Sequence, residues 1–239
     1  MGILQEGLAL LGLENAGLEQ KMDAYIRTLQ EYNAKFDLIN TDEYDQIAIR
    51  HIFDSLSGAA EIARLIEKRI SCYMTQGLSA DEAAQGIVIA DIGSGAGLPG
   101  IPLAAAFPER KFVLVERMTK RVDFLRHCAD VLNLKNVTVE ENQAERLEQR
   151  RFDIAVFRAF RPLEKKMTKV LLRILKDEGC LAAYKAKREK IAEEMNALPN
   201  VPDYEVVPLT VPFLTEHVLS VNGADGEERE RNLVIIRKN

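Results

Sequence analysis

Residues 87–103 read IVIADIGSGAGLPGIPL, and no other stretch narrows the possible folds so far. Four apolar residues, Ile87, Val88, Ile89 and Ala90, run into Asp91. That is the profile of a short strand buried at the centre of a parallel sheet. Gly93, Gly95, Gly97 and Gly100 follow within eight positions. Without a Cβ, the backbone there can turn tightly and lie against a ligand. Pro99 fixes φ ahead of Gly100, and residues 101–107 are apolar enough to open a packed helix. Strand, glycine loop and helix N-terminus in succession build a nucleotide pocket in an open α/β sheet.

The choice of nucleotide turns on two acids and a proline. Gly95-x-Gly97-x-x-Gly100 satisfies the dinucleotide template, which alone is a weak signal. Asp91 ends the strand two residues before the first glycine, where a pyrophosphate would be repelled. Pro99 stiffens the segment that would lie on the phosphates. A carboxylate suits a cation instead, and S-adenosylmethionine carries a sulfonium and an ammonium and no phosphate. The next strand, 111–116, ends at Glu116, 25 residues after Asp91. An acid there can accept hydrogen bonds from both ribose hydroxyls. The cofactor candidates are therefore Asp91, Gly93, Gly95, Gly97 and Glu116, against the plainer reading of a strand–turn–helix without a ligand.

At 239 residues the chain suits one α/β domain with a helical extension. We place an N-terminal helical region at 1–85 and the S-adenosylmethionine-binding domain at 86–239. No apolar run approaches the ~20 residues that cross a bilayer. The N-terminus lacks a basic region and a cleavage site, and Glu6 breaks the myristoylation pattern. Cys72, Cys128 and Cys180 are far apart and odd in number, as for thiols in a reducing cytoplasm. The three histidines offer no metal-binding spacing. A cytoplasmic monomer without metal or membrane contact is the expectation.

The net charge of −5 argues against a nucleic-acid partner until its distribution is read. Residues 146–190 carry 14 basic and 6 acidic side chains, while residues 1–90 carry 7 and 14. One basic block in an acidic chain is the pattern of a local site for an anionic partner. Solvated helix faces give the same count.

Helical periodicity marks 3–13, 17–35 and 44–68, with 69–86, which lack strong periodicity, as a connector or insertion. Met22, Ile26, Leu29, Ile52 and Phe53 fall on the inner faces. Arg50, His51, Asp54 and Ser55 cluster on neighbouring turns of the third helix, either as a surface ion pair beside a satisfied histidine or as part of a site. From Ile87 onward strands and helices alternate. Strands fall at 87–91, 111–116, 136–140, 152–158 and 179–184, with helices between them and a basic one at 162–176. Residues 204–209 and 232–237 add a hairpin at the sheet edge. The fold class is α/β, a doubly wound, mostly parallel seven-stranded Rossmann-like sheet. Ligands of such sheets bind at the carboxyl ends of strands. That rule adds Ala144 and Glu145 beyond strand three and Arg158 at the mouth of strand four. Glu145 either faces an adenine edge or favours a helix N-terminus. Arg158 follows a buried strand, so it meets either an anionic ligand or an internal acid such as Glu145 or Asp91.

Three motifs taken together resemble one family. DIGSGAGLPGIPL at 91–103, Arg50-His51-Ile52-Phe53-Asp54-Ser55, and Lys120-Arg121 ahead of Phe124-Leu125 are similar to the signature of the RsmG (GidB, glucose-inhibited division protein B) methyltransferases. Ala144-Glu145, Arg158-Ala159 and Lys185 match as well. The resemblance implies an S-adenosylmethionine-dependent enzyme that methylates N7 of a guanine in the decoding-region loop of small-subunit (16S) ribosomal RNA, free or in the subunit precursor. It implies cofactor contacts at Gly93, Leu98, Ala144, Glu145 and Arg158. Arg158 is the candidate catalytic residue, and Arg50, His51, Lys165, Lys166 and Lys185 are candidates for the RNA. The chain departs from the family pattern at Asp37-Leu38-Ile39, Phe157, Ala186 and Asn232. A small-molecule methyltransferase of the same fold and a non-catalytic RNA-binding protein are the competing classes.

Overall fold

The computed structural model describes residues 2–160, 163–199, 201–214 and 230–238. Its N-terminal part is helical, with α1 at Ile3–Leu10 and α2 at Ala16–Phe36. The Asn15 side chain accepts from the N–H groups of Gly17 and Leu18, which satisfies two of the orphan donors that open α2. The single helix expected over 44–68 is instead α3 (Tyr44–Ile47), a π-helical turn (Ala48–Phe53), α4 (Asp54–Leu56) and α5 (Ala59–Thr75). An average helical period conceals such a widened turn. Nor are residues 69–86 an irregular connector. They hold the end of α5 and α6 (Ala80–Gly86), which opens on a reciprocal capping box between Ser79 and Glu82.

Among the described residues the strands are β1 (Val88–Ile92), β2 (Lys111–Glu116), β3 (Val137–Glu141), β4 (Phe152–Arg158), β5 (Leu175–Lys185), β6 (Tyr204–Pro208) and β7 (Asn232–Arg237). They lie in the order β3-β2-β1-β4-β5-β7-β6. The first five are parallel, and β7 runs antiparallel to both β5 and β6. The expected hairpin is present, with β6 at the edge. The irregular stretch expected between its strands falls largely outside the described residues. The register sets Asp91 beside Val156, Glu116 beside Glu141 and Arg158 beside Tyr184, so the candidate residues share one edge of the sheet.

Side chains alternate across the sheet into two cores. Ile89, Phe112, Leu114, Ile154 and Val156 pack with the N-terminal helices, with α7 (Gly100–Ala106) and with α8 (Thr119–Val131). Ala90, Val113, Ala155, Phe157 and Leu181 pack against α9 (Lys165–Ile174) and α10 (Arg188–Asn196). Met22, Ile26, Leu29, Ile52 and Phe53 are all fully buried. Each such side chain contributes about 1.5–3 kcal/mol of burial. The N-terminal helices are thus one wall of a shared core.

At the amino end of β4, Asp153 is fully buried and heavily paired. Arg69 and Tyr73 of α5 donate to one carboxylate oxygen, and Lys176 and the Val88 N–H donate to the other. This network clamps α5 to β1, β4 and β5 on the side away from the glycine loop.

Candidate active site

The glycine loop is tied down before it turns. The Gly93 and Ser94 N–H groups donate to the Val115 carbonyl at 2.8 and 3.1 Å. The Gly95 N–H donates to Glu116 Oε2 at 3.0 Å, and Glu116 Oε1 accepts from the Arg117 and Met118 N–H groups. Glu116 therefore holds two loops together while its carboxylate borders the cleft between them. Gly93 has φ +72°, and a Cβ there would sit 2.9 Å from the Phe160 ring. Gly97 has φ +87°, and its Cβ would come within 2.5 Å of Ile101. Gly97 and the buried Leu98 thus serve the packing of the loop onto α7. From the other side the Tyr25 hydroxyl of α2 donates to the Ala96 carbonyl.

Asp91 sits beneath this loop. It is fully buried, and Oδ2 accepts the Gly100 N–H at 2.9 Å. Oδ1 has no partner among the described residues. Burial pushes the carboxyl up to about 7, against the pull of the nearby Ser94 hydroxyl, the Gly100 N–H and the Arg158 cation. Its carboxylate braces the start of α7 and is absent from the walls of the cleft.

That cleft is a cavity of about 460 Å³ at the carboxyl ends of β1, β2 and β4, lined among others by Gly93, Glu116, Gln143, Ala144, Glu145 and Phe160. Ala144 and Glu145 lie in a 3₁₀ turn, Ala144–Arg146. Arg173 of α9 holds that turn by donating to the Glu145 and Leu147 carbonyls at 2.9 and 3.2 Å. Of the expected cofactor residues, Gly93, Glu116, Ala144 and Glu145 meet on this wall. Asp91, Gly95, Gly97 and Leu98 stand behind it.

A second cavity, of about 430 Å³, shares Ala159 and Phe160 with the first. Ala159 has φ +50°, a left-handed turn that swings the chain out of β4 between the two. The second cavity is lined by Arg50, His51, Asp54, Arg158, Lys185 and Arg231. Phe157, Ala186 and Asn232, three positions where the sequence departs from the family pattern, line it too. Arg158 has an internal acid as its partner, and it is Asp54. Nη1 donates to Asp54 Oδ2 at 2.6 Å and to the Arg50 carbonyl in the π-helical turn at 3.0 Å. Its Nη2 lies 3.0 Å from His51 Nδ1. A guanidinium only donates, so Nδ1 accepts and the imidazole proton sits on Nε2. Burial, and then the Arg158 and Arg50 cations, push His51 down to about 3 and keep it neutral. Lys185 pairs with Glu194 at 2.8 Å.

Sequence reasoning missed Arg231, whose Nε donates to Asp54 Oδ1 at 3.0 Å. The strand-end rule selects the carboxyl ends of parallel strands. Because β7 runs the other way, its amino end reaches the same edge, and Arg231 immediately precedes it.

The basic block is partly spent inside the molecule. Arg150, Arg151, Arg158, Lys176 and Lys185 pair with Asp177, Glu140, Asp54, Asp153 and Glu194. Lys165 and Lys166 are exposed at the start of α9 and line neither cavity.

A parallel sheet in this order, closed by an antiparallel β7, with a glycine loop after β1 and an acid ending β2, defines a Rossmann-like methyltransferase. The architecture resembles a crystal structure described as a predicted O-methyltransferase from Agrobacterium tumefaciens, with TM-score 0.50, 20% identity and coverage of 65% of this chain and 76% of that one. Residues 18–221 match the family described as GidB, rRNA small subunit methyltransferase G, and the chain belongs to that family. It is 34% identical to ribosomal RNA small subunit methyltransferase G of Treponema denticola, over 99% of this chain and 96% of the relative. It is 31% identical to the protein of the same name from Bordetella pertussis, over 84% and 82%.

Among the described residues no helix is long and apolar enough to cross a membrane, and no cluster of His, Cys, Asp and Glu is placed to hold a metal ion.

Proposed function

We propose that the chain transfers a methyl group from S-adenosylmethionine to N7 of a guanine in the decoding-region loop of 16S ribosomal RNA. The observation that carries this reading is the pair of cavities that share Ala159 and Phe160 at the mouth of β4. One ligand in each would bring two reacting atoms together across that wall.

The first cavity fits the cofactor. Gly93 keeps its floor free of a Cβ, Glu116 offers a carboxylate edge for ribose hydroxyls, and Gln143 to Glu145 offer backbone polar groups for an adenine. When bound, S-adenosylmethionine supplies an electrophilic methyl carbon on a sulfonium. Asp91, Gly95, Gly97 and Leu98 act by holding the loop in shape. Arg158, locked between Asp54, His51 and the Arg50 carbonyl, fixes the wall between the two ligands.

Guanine N7 carries an in-plane lone pair and no proton, so its attack needs no general base. Neutral His51, with Nδ1 engaged by Arg158, is consistent with that requirement. The protein contributes positioning, which supplies about 7–11 kcal/mol in well-oriented reactions. Arg50, His51 and Lys185 face the base and its neighbours, and Lys165 and Lys166 contact the RNA backbone outside the cavity. The substrate is naked 16S RNA or a small-subunit precursor, and the enzyme works as a cytoplasmic monomer.

The test is incubation with labelled S-adenosylmethionine and 16S RNA lacking its own modifications, alone and in the assembled subunit. Label at N7 of one guanine is expected. Label confined to a small molecule, or RNA binding without transfer, would overturn the reading.

A further inference from the structure

We infer that Arg231, held by Asp54, is the phosphate anchor of the second cavity, and that this cavity takes a whole nucleotide with its 5′-phosphate. The inference rests on the reading of that cavity as the substrate site.

Among the described residues, four cations, Arg50, Arg158, Lys185 and Arg231, line the cavity, and Asp54 is the single carboxylate among its walls. Lys185 is met by Glu194. Arg158 and Arg231 both lean on Asp54, one negative charge for two positive ones. Both Nη atoms of Arg158 are engaged inside the protein. Arg231 differs. Its Nε is on Asp54 and its Nη1 is on the Glu230 carbonyl, but its Nη2 makes no hydrogen bond among the described residues. Its side chain keeps 23% of its surface exposed. The neighbouring Glu230 carboxylate is taken by the Arg188 N–H and Asn232 Nδ2. Among the described residues the concave wall therefore holds surplus positive charge with an open donor, which calls for an anion. A guanidinium pre-oriented by a carboxylate binds a phosphate with little further loss of freedom.

Size and order agree with a nucleotide. A cavity of about 430 Å³ holds more than a bare base. Phe160 borders both cavities, whereas Arg231 borders this one alone. The base then lies toward Phe160 and the cofactor, with its phosphate at Arg231. A guanine seated this way has left its stack, as bases do in enzymes that modify them. Asp54 is a positioning residue, since it reaches the nucleotide through the two arginines.

The experiment compares guanosine, guanosine 5′-monophosphate and a dinucleotide carrying a 5′-phosphodiester on its guanosine as competitors of RNA methylation. The same ligands are then titrated directly against the protein. Both phosphorylated ligands are expected to bind at least tenfold tighter than guanosine. Arg231→Gln is expected to erase that preference and raise KM for RNA at least tenfold, with S-adenosylhomocysteine affinity unchanged. Arg231→Lys is expected to restore part of the preference. Equal binding of guanosine and its monophosphate by the parent protein would overturn the inference without any variant, as would a preference that survives in Arg231→Gln. If the parent protein fails to methylate RNA, the proposed function falls instead, and the direct titrations still decide whether Arg231 holds a phosphate.

Discussion

Two buried carboxylates on adjacent strands meet opposite fates. Asp153, at the amino edge of β4, is fully buried with Arg69, Lys176, Tyr73 and a backbone N–H around it. Asp91, at the carboxyl edge of β1, is equally buried and has one backbone N–H on one oxygen. Among the described residues, the carboxyl edge also holds Arg50 Nε, His51 Nε2 and Asn232 Oδ1 without partners, while the Asp153 network leaves Arg69 Nη1. Burying a polar group without a partner is costly, so such groups collect where binding or chemistry compensates. The amino edge is built for stability and the carboxyl edge for a ligand.

The contrast breaks most visibly at Asp153. Asp153→Ala strands the buried Arg69 and the half-buried Lys176, and a loss of about 3–5 kcal/mol is expected in urea denaturation. Asp91→Asn keeps an acceptor for the Gly100 N–H and should cost far less. Equal losses at the two sites would erase the distinction.

Tyr25→Phe comes next. It leaves the Ala96 carbonyl without its donor, which costs about 1–3 kcal/mol. Because that carbonyl lies in the glycine loop, S-adenosylhomocysteine affinity measured by calorimetry should fall as well. Stability loss with unchanged affinity would show that α2 does not shape the cleft.

A smaller effect appears in the pH dependence of stability. Asp91 titrates at about 7 in the folded chain against 3.8 unfolded, so its contribution is full below 3.8 and is lost as pH rises through 7. His51 titrates at about 3 against 6.5, so its contribution is present above 6.5 and is lost as pH falls toward 3. The two slopes oppose each other between pH 4 and 6.5. Melting curves across pH should show Asp91→Asn gaining on the parent as pH rises from 4 to 8, and parallel curves would refute the assignment.

The smallest change in stability is expected for Lys165→Glu with Lys166→Glu, within about 0.5 kcal/mol for these exposed positions. RNA affinity should drop and its salt dependence flatten. Unchanged RNA binding across a salt titration would move the RNA path away from α9.

The strands were legible because residues buried on both faces read as apolar runs, and β2, β4 and β7 fall where 111–116, 152–158 and 232–237 place them. Their carboxyl ends then pointed to Gly93, Glu116, Ala144 and Glu145, which line one cavity. Long-range pairing was not legible. Arg158 and Asp54 are 104 positions apart, and their contact depends on how the helical region docks on the sheet. The π-helical turn that brings the Arg50 carbonyl to Arg158 leaves no mark in a periodicity of apolar residues. Charge counting overstated the basic block, because it cannot see that Arg151 and Lys176 face Glu140 and Asp153.

A crystal structure of the chain with S-adenosylhomocysteine tests most directly whether two ligands meet across Ala159 and Phe160. The ligand is expected between Gly93, Glu116 and Ala144, its ribose at Glu116 and its sulfur turned toward Ala159 and Phe160, with the Arg231 cavity open beside it. A ligand seated against Arg158 and Arg231 instead, or with its sulfur turned away from that shared wall, would contradict the account.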